Sequence, residues 1–288
     1  MELIVLYSEI FRSIQGEGHY TGVPTAWIRF FGCNLECSGF GQENPKDPST
    51  YVLPYEKIDT TNITSVEELP VFKYGCDSSY SWSKKFVKLQ KNETPEVVAD
   101  RVNKIMTSPQ FHLAFTGGEP MLKAAQKNQV AIMEHLNMPP SITIETNGTA
   151  PLFPELQEAQ LKYQKDLGTE FFYSVSPKMF SVSGEKDVVR PKVVKMYHDI
   201  SKNGQLKFVS NGTDESWDEI EDAIVQFRDH GIDYPIWIMP VGALEETQKD
   251  NAKEILNLFN GKKGAFRNVV IMNSASALVA TGNANNLE

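Results

Sequence analysis

The sequence predicts an α/β protein whose mostly parallel sheet is either open or curled into a barrel. From Thr94 onward, helical and strand patterns alternate along the chain, and repeated strand–helix units place successive strands in parallel. The strand patterns are short and apolar, as in FHLAF at residues 111–115. The length of 288 residues allows one large domain with a sizeable core, and we expect a single domain over residues 1–288.

The predicted elements begin with one strand, TAWIRFFG, at residues 25–32. Residues 94–106 predict the first helix, because Thr94 is a suitable N-cap and Pro95 fits the first helical position. Four apolar residues of this helix fall on one face: Val97, Val98, Val102 and Ile105. Further strands are predicted at residues 111–115, 141–145, 170–176, 205–209, 235–241 and 267–272. Further helices are predicted at residues 122–136, 191–201, 214–231 and 245–259.

Residues 38–75 interrupt this alternation. The segment is rich in Gly, Pro and polar residues and shows little periodicity, which indicates an inserted loop. Its apolar residues are nevertheless too numerous for a flexible tether: Tyr51, Val52, Leu53, Tyr55, Val71 and Phe72. We therefore expect an ordered lid or flap rather than a separate domain.

The charge and hydropathy patterns exclude several classes of partner. The net charge is -9, with no long run of either sign, and binding to a nucleic-acid backbone needs clustered Lys and Arg. No uninterrupted apolar stretch is long enough to cross a membrane. The start, MELIVLYSEIF, lacks the basic segment and cleavage site of a secretory signal. We therefore expect a cytoplasmic protein that binds neither nucleic acid nor membrane.

The chain has three cysteines, Cys33 and Cys37 in GCNLEC and Cys76 in KYGCDSSYSW. An odd and sparse set disfavours a disulfide framework, which leaves buried thiols, a nucleophile or a metal site. Zinc is the poorer metal interpretation, because structural zinc normally takes four Cys or His ligands and no histidine is suitably spaced beside the cysteines. Three thiolates would leave one iron of a cubane cluster open to an external molecule.

A second feature is FTGGEP at residues 115–120, between a strand pattern and a helix pattern. Gly117 and Gly118 would let the backbone approach a ligand closely, and a simple turn is the alternative explanation. GEGHYTG at residues 16–22 has the wrong spacing for a dinucleotide-binding site and does not follow a convincing strand pattern. The sequence also contains no P-loop pattern.

Taken in order, GCNLEC, GCDSSYSW, TGGEP, ETNGT and SVSPK resemble the radical S-adenosylmethionine enzymes. More narrowly, EIFRSIQGEGHYTGVPTAWIRFFGCNLEC resembles the N-terminal segment of the 7-carboxy-7-deazaguanine synthase family. The superfamily's usual spacing is C-x3-C-x2-C, and here Phe40 stands where the third cysteine is expected. The resemblance implies that residues 38–75 were inserted before Cys76, and that the fold is a partial (β/α)6-type barrel.

The resemblance also implies an activity and its cofactors. The enzyme would convert 6-carboxy-5,6,7,8-tetrahydropterin into 7-carboxy-7-deazaguanine by a lyase-type radical ring contraction with loss of ammonia, in the biosynthesis of 7-deazapurines such as queuosine. The implied cofactors are a 4Fe-4S cluster, S-adenosylmethionine and magnesium. The implied partners are the pterin substrate, an electron donor such as flavodoxin or ferredoxin, and a second copy of the chain in a homodimer.

The family's site residues carry over to matching positions of this sequence. The implied cluster ligands are Cys33, Cys37 and Cys76, and Ser78 is the implied magnesium ligand. The implied cofactor-binding residues are Asp77, Ser78, Gly118, Glu145, Thr146, Asn147, Ser176, Pro177 and Lys178. The implied substrate-binding residues are Ile14, Gln15, Gly16, Glu17, Arg29 and Thr116. Without the resemblance, Arg29 could equally face solvent from its strand, and Lys178 and Lys207 would be expected at the surface.

Two other interpretations remain open. A glycyl-radical-enzyme activase shares the cysteine trio and the Gly-Gly-Glu-Pro stretch but acts on a protein, and a non-catalytic paralogue would keep the fold alone. The C-terminal sequence NSASALVATGNANNLE departs from the family, since it keeps only Gly282 and Asn283 of the usual tail.

Overall fold

The computed structural model describes residues 3–108 and 111–242, which form one eight-stranded sheet with flanking helices. The strands are β1 (Val5–Ile14), β2 (Pro24–Phe30), β3 (Lys91–Glu93), β4 (His112–Gly117), β5 (Ser141–Thr146), β6 (Glu170–Val175), β7 (Gly204–Ser210) and β8 (Ile236–Pro240). Their order across the sheet is β3-β1-β2-β4-β5-β6-β7-β8. The six strands β2 and β4 to β8 are parallel, whereas β1 and β3 are antiparallel to their neighbours.

Helices fill the connections between the parallel strands. They are α1 (Pro54–Lys57), α2 (Pro95–Ile105), α3 (Lys123–Met133), α4 (Pro154–Leu167), α5 (Phe180–Ser183), α6 (Pro191–Ile200) and α7 (Asp214–Asp229). The five longer helices bury the main hydrophobic core against one face of the sheet. Six parallel strands in sequential order with helical connections confirm the predicted α/β class and the (β/α)6-type arrangement. No helix in the described part of the chain is both long and apolar enough to cross a membrane.

The first predicted helix agrees with the structure at its N-terminus but not over its whole apolar face. Helix α2 begins at Pro95, and the Thr94 side chain accepts a hydrogen bond from the Val97 N–H group, as expected of an N-cap. Val98 on the predicted apolar face is fully buried, but Val97 is 42% exposed, so its assignment to that face is wrong. The helix and strand predicted at residues 245–259 and 267–272 lie outside the described residues.

Several elements were not predicted from the sequence, and strand β1 and helix α4 are the longest of them. Strand β1 pairs with both β2 and β3, and helix α4 buries only Leu156 and Gln160. Since β1 ends at Ile14, the GEGHYTG segment does follow a strand, contrary to the expectation. That strand is antiparallel to β2 and leads into it without a helix, so the arrangement still differs from a dinucleotide-binding unit.

The insertion, residues 38–75, packs against the chain that follows it. Besides α1 it contains the short helical turns Pro48–Thr50 and Val66–Glu68. A second hydrophobic cluster combines insertion residues with two later ones: Tyr55, Val66, Phe72, Phe86 and Leu89. Because this cluster spans both segments, removal of the insertion would expose the apolar side chain of Phe86 to solvent.

His112, at the start of β4, gives the fold a specific pH dependence. Its Nδ1 lies 2.6 Å from Ser141 Oγ and its Nε2 lies 2.7 Å from Thr143 Oγ1. Burial lowers the pKa of His112 from 6.5 to about 4. Between these two values the unfolded chain binds a proton that the folded chain excludes. The free energy of unfolding therefore falls as the pH falls through this window, and His112 has no such effect above it.

We expect His112→Gln to flatten this dependence, by up to about 3 kcal/mol between pH ~7 and pH ~4. Urea unfolding at a series of pH values measures the change. The exposed His230 at the end of α7 provides a matched control, and His230→Gln should keep the wild-type slope. A wild-type slope in His112→Gln would contradict the prediction.

Candidate functional site

A cavity of about 640 Å³ lies at the carboxyl ends of the parallel strands, where α/β proteins commonly bind ligands. All of the site residues implied by the sequence line this cavity, except Ile14 and Pro177. Ile14 is 62% exposed at the end of β1, and Pro177 is buried away from the cavity wall. The fold therefore brings together residues from six separate stretches of sequence.

The loop after β2, which carries the first two cysteines, is held by a distant carboxylate. One carboxylate oxygen of Glu185 accepts hydrogen bonds from the Glu36 N–H group, at 2.8 Å, and from the Cys37 N–H group, at 2.6 Å. Cys37 has a φ of 51°, in the left-handed region that non-glycine residues rarely adopt. The Gly39 N–H group donates to the Ser183 carbonyl at 2.8 Å. These contacts stabilise a backbone conformation that would otherwise be unfavourable.

The two ends of the insertion meet just before Cys76. The Gly75 N–H group donates to the Phe40 carbonyl at 2.8 Å, and a Cβ atom on Gly41 would lie 2.9 Å from the Lys73 carbonyl oxygen. We call this pairing of residues 40–41 with residues 73–75 the neck of the insertion. It returns Cys76 to the cavity that the other two cysteines line, and all three thiols are free.

The thiols share one electrostatic environment. Burial raises the pKa of Cys33 to about 12 and that of Cys76 to about 11, and it also raises the pKa of Cys37. Lys178 lines the same cavity, and its positive charge lowers the pKa of all three thiols.

The three thiols do not converge on a single point. Within residues 3–108 and 111–242, no three His, Cys, Asp or Glu side chains are grouped closely enough to hold a single metal ion. A four-iron cluster is wider than one ion, and its cysteine ligands bind different iron atoms. The three thiols on one cavity wall are the ligands that a four-iron cluster with one open iron would need.

Gly117 and Gly118 pack directly against the backbone that leads to Cys33. The Gly118 N–H group donates to the Phe30 carbonyl at 3.1 Å. A Cβ atom on Gly118 would lie 2.1 Å from the Gly32 carbonyl oxygen, and one on Gly117 would lie 2.3 Å from that of Phe30. The close approach expected toward a ligand is therefore also an approach between two loops of the protein.

The next residue, Glu119, fixes the loop after β5. Its fully buried carboxylate accepts three hydrogen bonds: from the Thr146 hydroxyl at 2.7 Å, from the Asn147 N–H group at 2.7 Å and from the Met121 N–H group at 2.8 Å. Burial raises the pKa of Glu119, and these three donors oppose that rise. Glu119 is a positioning residue for two of the implied cofactor-binding residues, and the sequence analysis did not single it out.

A polar network joins the segment after β1 to β5 and β7. Lys207 Nζ lies 2.9 Å from Glu17 Oε2 and 3.1 Å from Glu145 Oε2, and Gln15 Nε2 donates to Glu145 Oε1 at 3.1 Å. The Lys207 side chain is only 13% exposed, so the expected surface position is wrong. Burial lowers the pKa of Lys207, but the carboxylates of Glu145 and Glu17 outweigh burial and raise it above its ordinary value.

Arg29 faces the cavity and not the solvent. Its Nε donates to Glu9 Oε1 at 2.8 Å, and the Tyr80 hydroxyl donates to the same oxygen at 2.7 Å. Nη1 lies 3.4 Å from Ser78 Oγ. Glu9 is the only carboxylate that pairs with Arg29 in the described part of the chain. Glu9 therefore orients the guanidinium through its Nε–H group and leaves its other N–H groups free of carboxylate partners.

Three relatives of the chain carry the same activity name. No family model matches the chain. The chain is 32% identical over 123 residues to the 7-carboxy-7-deazaguanine synthase of Methanocaldococcus jannaschii, which covers 43% of this chain and 40% of that protein. It is 28% identical over 237 residues to that of Methanospirillum hungatei, covering 81% and 71%. It is 26% identical over 269 residues to that of Rhodopirellula baltica, covering 88% and 79%.

The extent of these alignments differs. The chain spans less than half the length of the Methanocaldococcus jannaschii protein, whereas the other two alignments extend over most of both chains. The similarity to 7-carboxy-7-deazaguanine synthases therefore covers more than four fifths of the chain and confirms the resemblance found in its sequence.

Proposed function

We propose that the protein is a radical S-adenosylmethionine enzyme with 7-carboxy-7-deazaguanine synthase activity. The observation that carries this proposal is the presence of Cys33, Cys37 and Cys76 on one cavity despite the insertion between them. The relatives support the choice of activity, because all three bear that name. The reaction would convert 6-carboxy-5,6,7,8-tetrahydropterin into 7-carboxy-7-deazaguanine and ammonia, which balances as a lyase-type ring contraction.

The three cysteines would hold a 4Fe-4S cluster with one iron left open. When bound and reduced, this cluster supplies the electron that cleaves S-adenosylmethionine and yields a 5′-deoxyadenosyl radical. The protein's own residues contribute position and charge. Glu185 holds the loop of Cys37, the neck returns Cys76 to the cavity, and Lys178 favours the charged form of the thiols.

The proposed S-adenosylmethionine site surrounds the cysteines at the ends of the strands. Its residues are Asp77, Ser78, Gly118, Glu145, Thr146, Asn147, Ser176, Pro177 and Lys178. Glu119 would hold Thr146 and Asn147 in place through its hydrogen bonds. Lys178 suits a carboxylate and Glu145 suits hydroxyl or ammonium donors, all of which S-adenosylmethionine carries. Pro177, being buried, would act through its backbone.

The proposed substrate site lies beside it. Its residues are Ile14, Gln15, Gly16, Glu17, Arg29 and Thr116, with Ile14 contributing its backbone. Arg29 would bind the substrate carboxylate, because a guanidinium offers paired donors. The Glu17 side chain is 46% exposed although it contacts Lys207, so it retains acceptor capacity for the amino and amide N–H groups of a pterin.

Magnesium is proposed to bind at Ser78. The Ser78 hydroxyl lies 2.8 Å from Asp77 Oδ1, and hydroxyl and carboxylate oxygens are hard donors of the kind that this ion prefers.

The wider assembly is proposed from the resemblance. It comprises one domain that includes the insertion, a homodimer, an electron donor such as flavodoxin or ferredoxin, and a cytoplasmic location.

The test of the proposed function is anaerobic turnover of the carboxy-tetrahydropterin. After reconstitution with iron and sulfide, the protein is supplied with S-adenosylmethionine, reductant and magnesium. We expect 7-carboxy-7-deazaguanine and ammonia in equal amounts, with S-adenosylmethionine regenerated. Deoxyadenosine without this product would indicate another substrate, such as a glycyl-radical protein. Failure to take up a cluster would favour a non-catalytic paralogue.

We expect Arg29→Lys to weaken substrate binding by about 10- to 100-fold, the equivalent of one charged hydrogen bond, because lysine keeps the charge but lacks the two-donor fork. Uncoupled cleavage of S-adenosylmethionine should persist. Substrate titration and deoxyadenosine release measure the two effects. Arg12→Lys, at an exposed position of the neighbouring strand, is the matched control. Wild-type affinity in Arg29→Lys would remove Arg29 from the substrate site.

A further inference from the structure

Strand β7 carries two polar side chains, Gln205 and Lys207, that contact the loop between β1 and β2. Residues two apart on a strand point to the same side of the sheet. The His19 N–H group donates to Gln205 Oε1 at 2.9 Å, and a Cβ atom on Gly18 would lie 2.4 Å from the amide group of Gln205. Lys207 Nζ lies 2.9 Å from Glu17 Oε2. The loop that contains Glu17 is therefore packed on β7.

The backbone of this loop is closed by its own hydrogen bonds. The Gln15 N–H group donates to the Val23 carbonyl at 2.9 Å, and the Gly22 N–H group donates to the Gln15 carbonyl at 2.9 Å. The Glu17 N–H group donates to Gln15 Oε1 at 3.1 Å. These bonds order the backbone at Glu17 but not its side chain, which is 46% exposed. Within residues 3–108 and 111–242, Lys207 is the only side chain that pairs with the Glu17 carboxylate.

Lys207 also contacts the strand that carries part of the proposed S-adenosylmethionine site. Its Nζ lies 3.1 Å from Glu145 Oε2, and both side chains are only 13% exposed. Without this cation, two carboxylates of like charge would remain close together and repel each other. Glu145 is the more buried of the two and keeps its hydrogen bond from Gln15 Nε2 at 3.1 Å. The more exposed Glu17 side chain is therefore the one that would move away.

We propose that Lys207 is a positioning residue that holds the Glu17 carboxylate in the cavity that both residues line, and so completes the substrate site. The inference rests on the proposed function, because it assumes that Glu17 accepts N–H groups of the pterin. An acceptor that is ordered in advance binds more tightly than a mobile one, since the side chain loses less freedom on binding. Lys207 therefore acts on substrate affinity through Glu17.

The test is a double-mutant cycle on substrate affinity. The reconstituted protein is titrated anaerobically with the carboxy-tetrahydropterin, in the presence of S-adenosylmethionine and without reductant. We expect Lys207→Met to weaken substrate binding about tenfold, the equivalent of ordering one side chain, and Glu17→Gln to weaken it as well. Because Lys207 acts through Glu17, the double variant should bind about as weakly as Glu17→Gln alone.

Further readouts separate positioning from a general structural role. Lys207→Met should keep the wild-type iron content and uncoupled deoxyadenosine formation, and Lys207→Arg should restore most of the substrate affinity because it keeps the charge. Lys192→Met, at an exposed position of α6, is the control and should match the wild type throughout. Where Lys207→Met does not fold, Lys207→Gln takes its place in the cycle, since its amide can still donate to Glu145.

Wild-type substrate affinity in the Lys207 variant, or additive effects of the two substitutions, would overturn this inference while the proposed function stands. Loss of iron uptake in both uncharged Lys207 variants would show a structural role and would also overturn it. Wild-type affinity in Glu17→Gln would overturn the inference and remove Glu17 from the substrate site. A wild type that does not bind the pterin would overturn the proposed function itself.

Discussion

Replacing Cys76 with alanine is expected to abolish retention of the iron–sulfur cluster. Only three cysteines occur in the chain, so no spare thiol can serve as a ligand. After anaerobic reconstitution, iron should fall from about four atoms per chain to near zero, and no deoxyadenosine should form. Iron and sulfide analysis, with the absorbance near ~400 nm, provides the measurement.

The effect should be equal for Cys33→Ala and Cys37→Ala, because each thiol would ligate a different iron. Ser83→Ala is a suitable control, since Ser83 follows the same segment but does not line the cavity. A full cluster in Cys76→Ala would show that the insertion does not precede the third ligand, and the proposed site would have to be redrawn.

Gly118→Ala is expected to reduce the free energy of unfolding by about 3 kcal/mol or more, the upper part of the range for overpacking. The new Cβ atom would lie 2.1 Å from the Gly32 carbonyl oxygen and 3.0 Å from Cys33 Cβ. Neither neighbour can move without displacing the loop of the first cysteine, so cluster retention should fall as well. Urea unfolding and iron analysis measure the two effects.

Gly16→Ala is the matched control for this change. Gly16 also lines the cavity, but a Cβ atom there meets nothing within 4 Å, so the stability should stay near that of the wild type. Equal stability of the two variants would mean that the two loops separate easily, and that the glycine is not needed for their packing.

The sequence predicted those parts of the fold that depend on local chemistry. The N-cap at Thr94 and the apolar strand patterns are set by neighbouring residues, and the structure contains them. Strand β1 was not predicted, because Glu9 and other polar residues interrupt its apolar pattern. Its place between β2 and β3 depends on pairing with distant residues. Helix α4 was not predicted because its buried face is short.

In the candidate site, too, the features set by local sequence were predictable and those that depend on distant residues were not. Residue types and spacing, together with the resemblance, singled out the cysteines and Arg29. The groups that orient them were not predictable, because their partners are far away in sequence. Glu185 reaches Cys37 across 148 positions, and Lys207 reaches Glu17 across 190. The burial of Lys207 depends on the carboxylates of Glu17 and Glu145, which the fold brings to it from distant parts of the sequence.

The neck allows the part of the insertion beyond it to change in length without moving the cysteines. The hydrogen bond between Gly75 and Phe40 sets the points at which the chain leaves and rejoins the cysteine region. Extra residues beyond the neck, for example in the exposed turn around Thr61, do not alter the path from Cys37 to Cys76. Loop closure also becomes only slowly less favourable as a loop grows. The far end of the insertion is therefore a position where an affinity tag or a fluorescent label can be introduced, and where related proteins are free to vary in size.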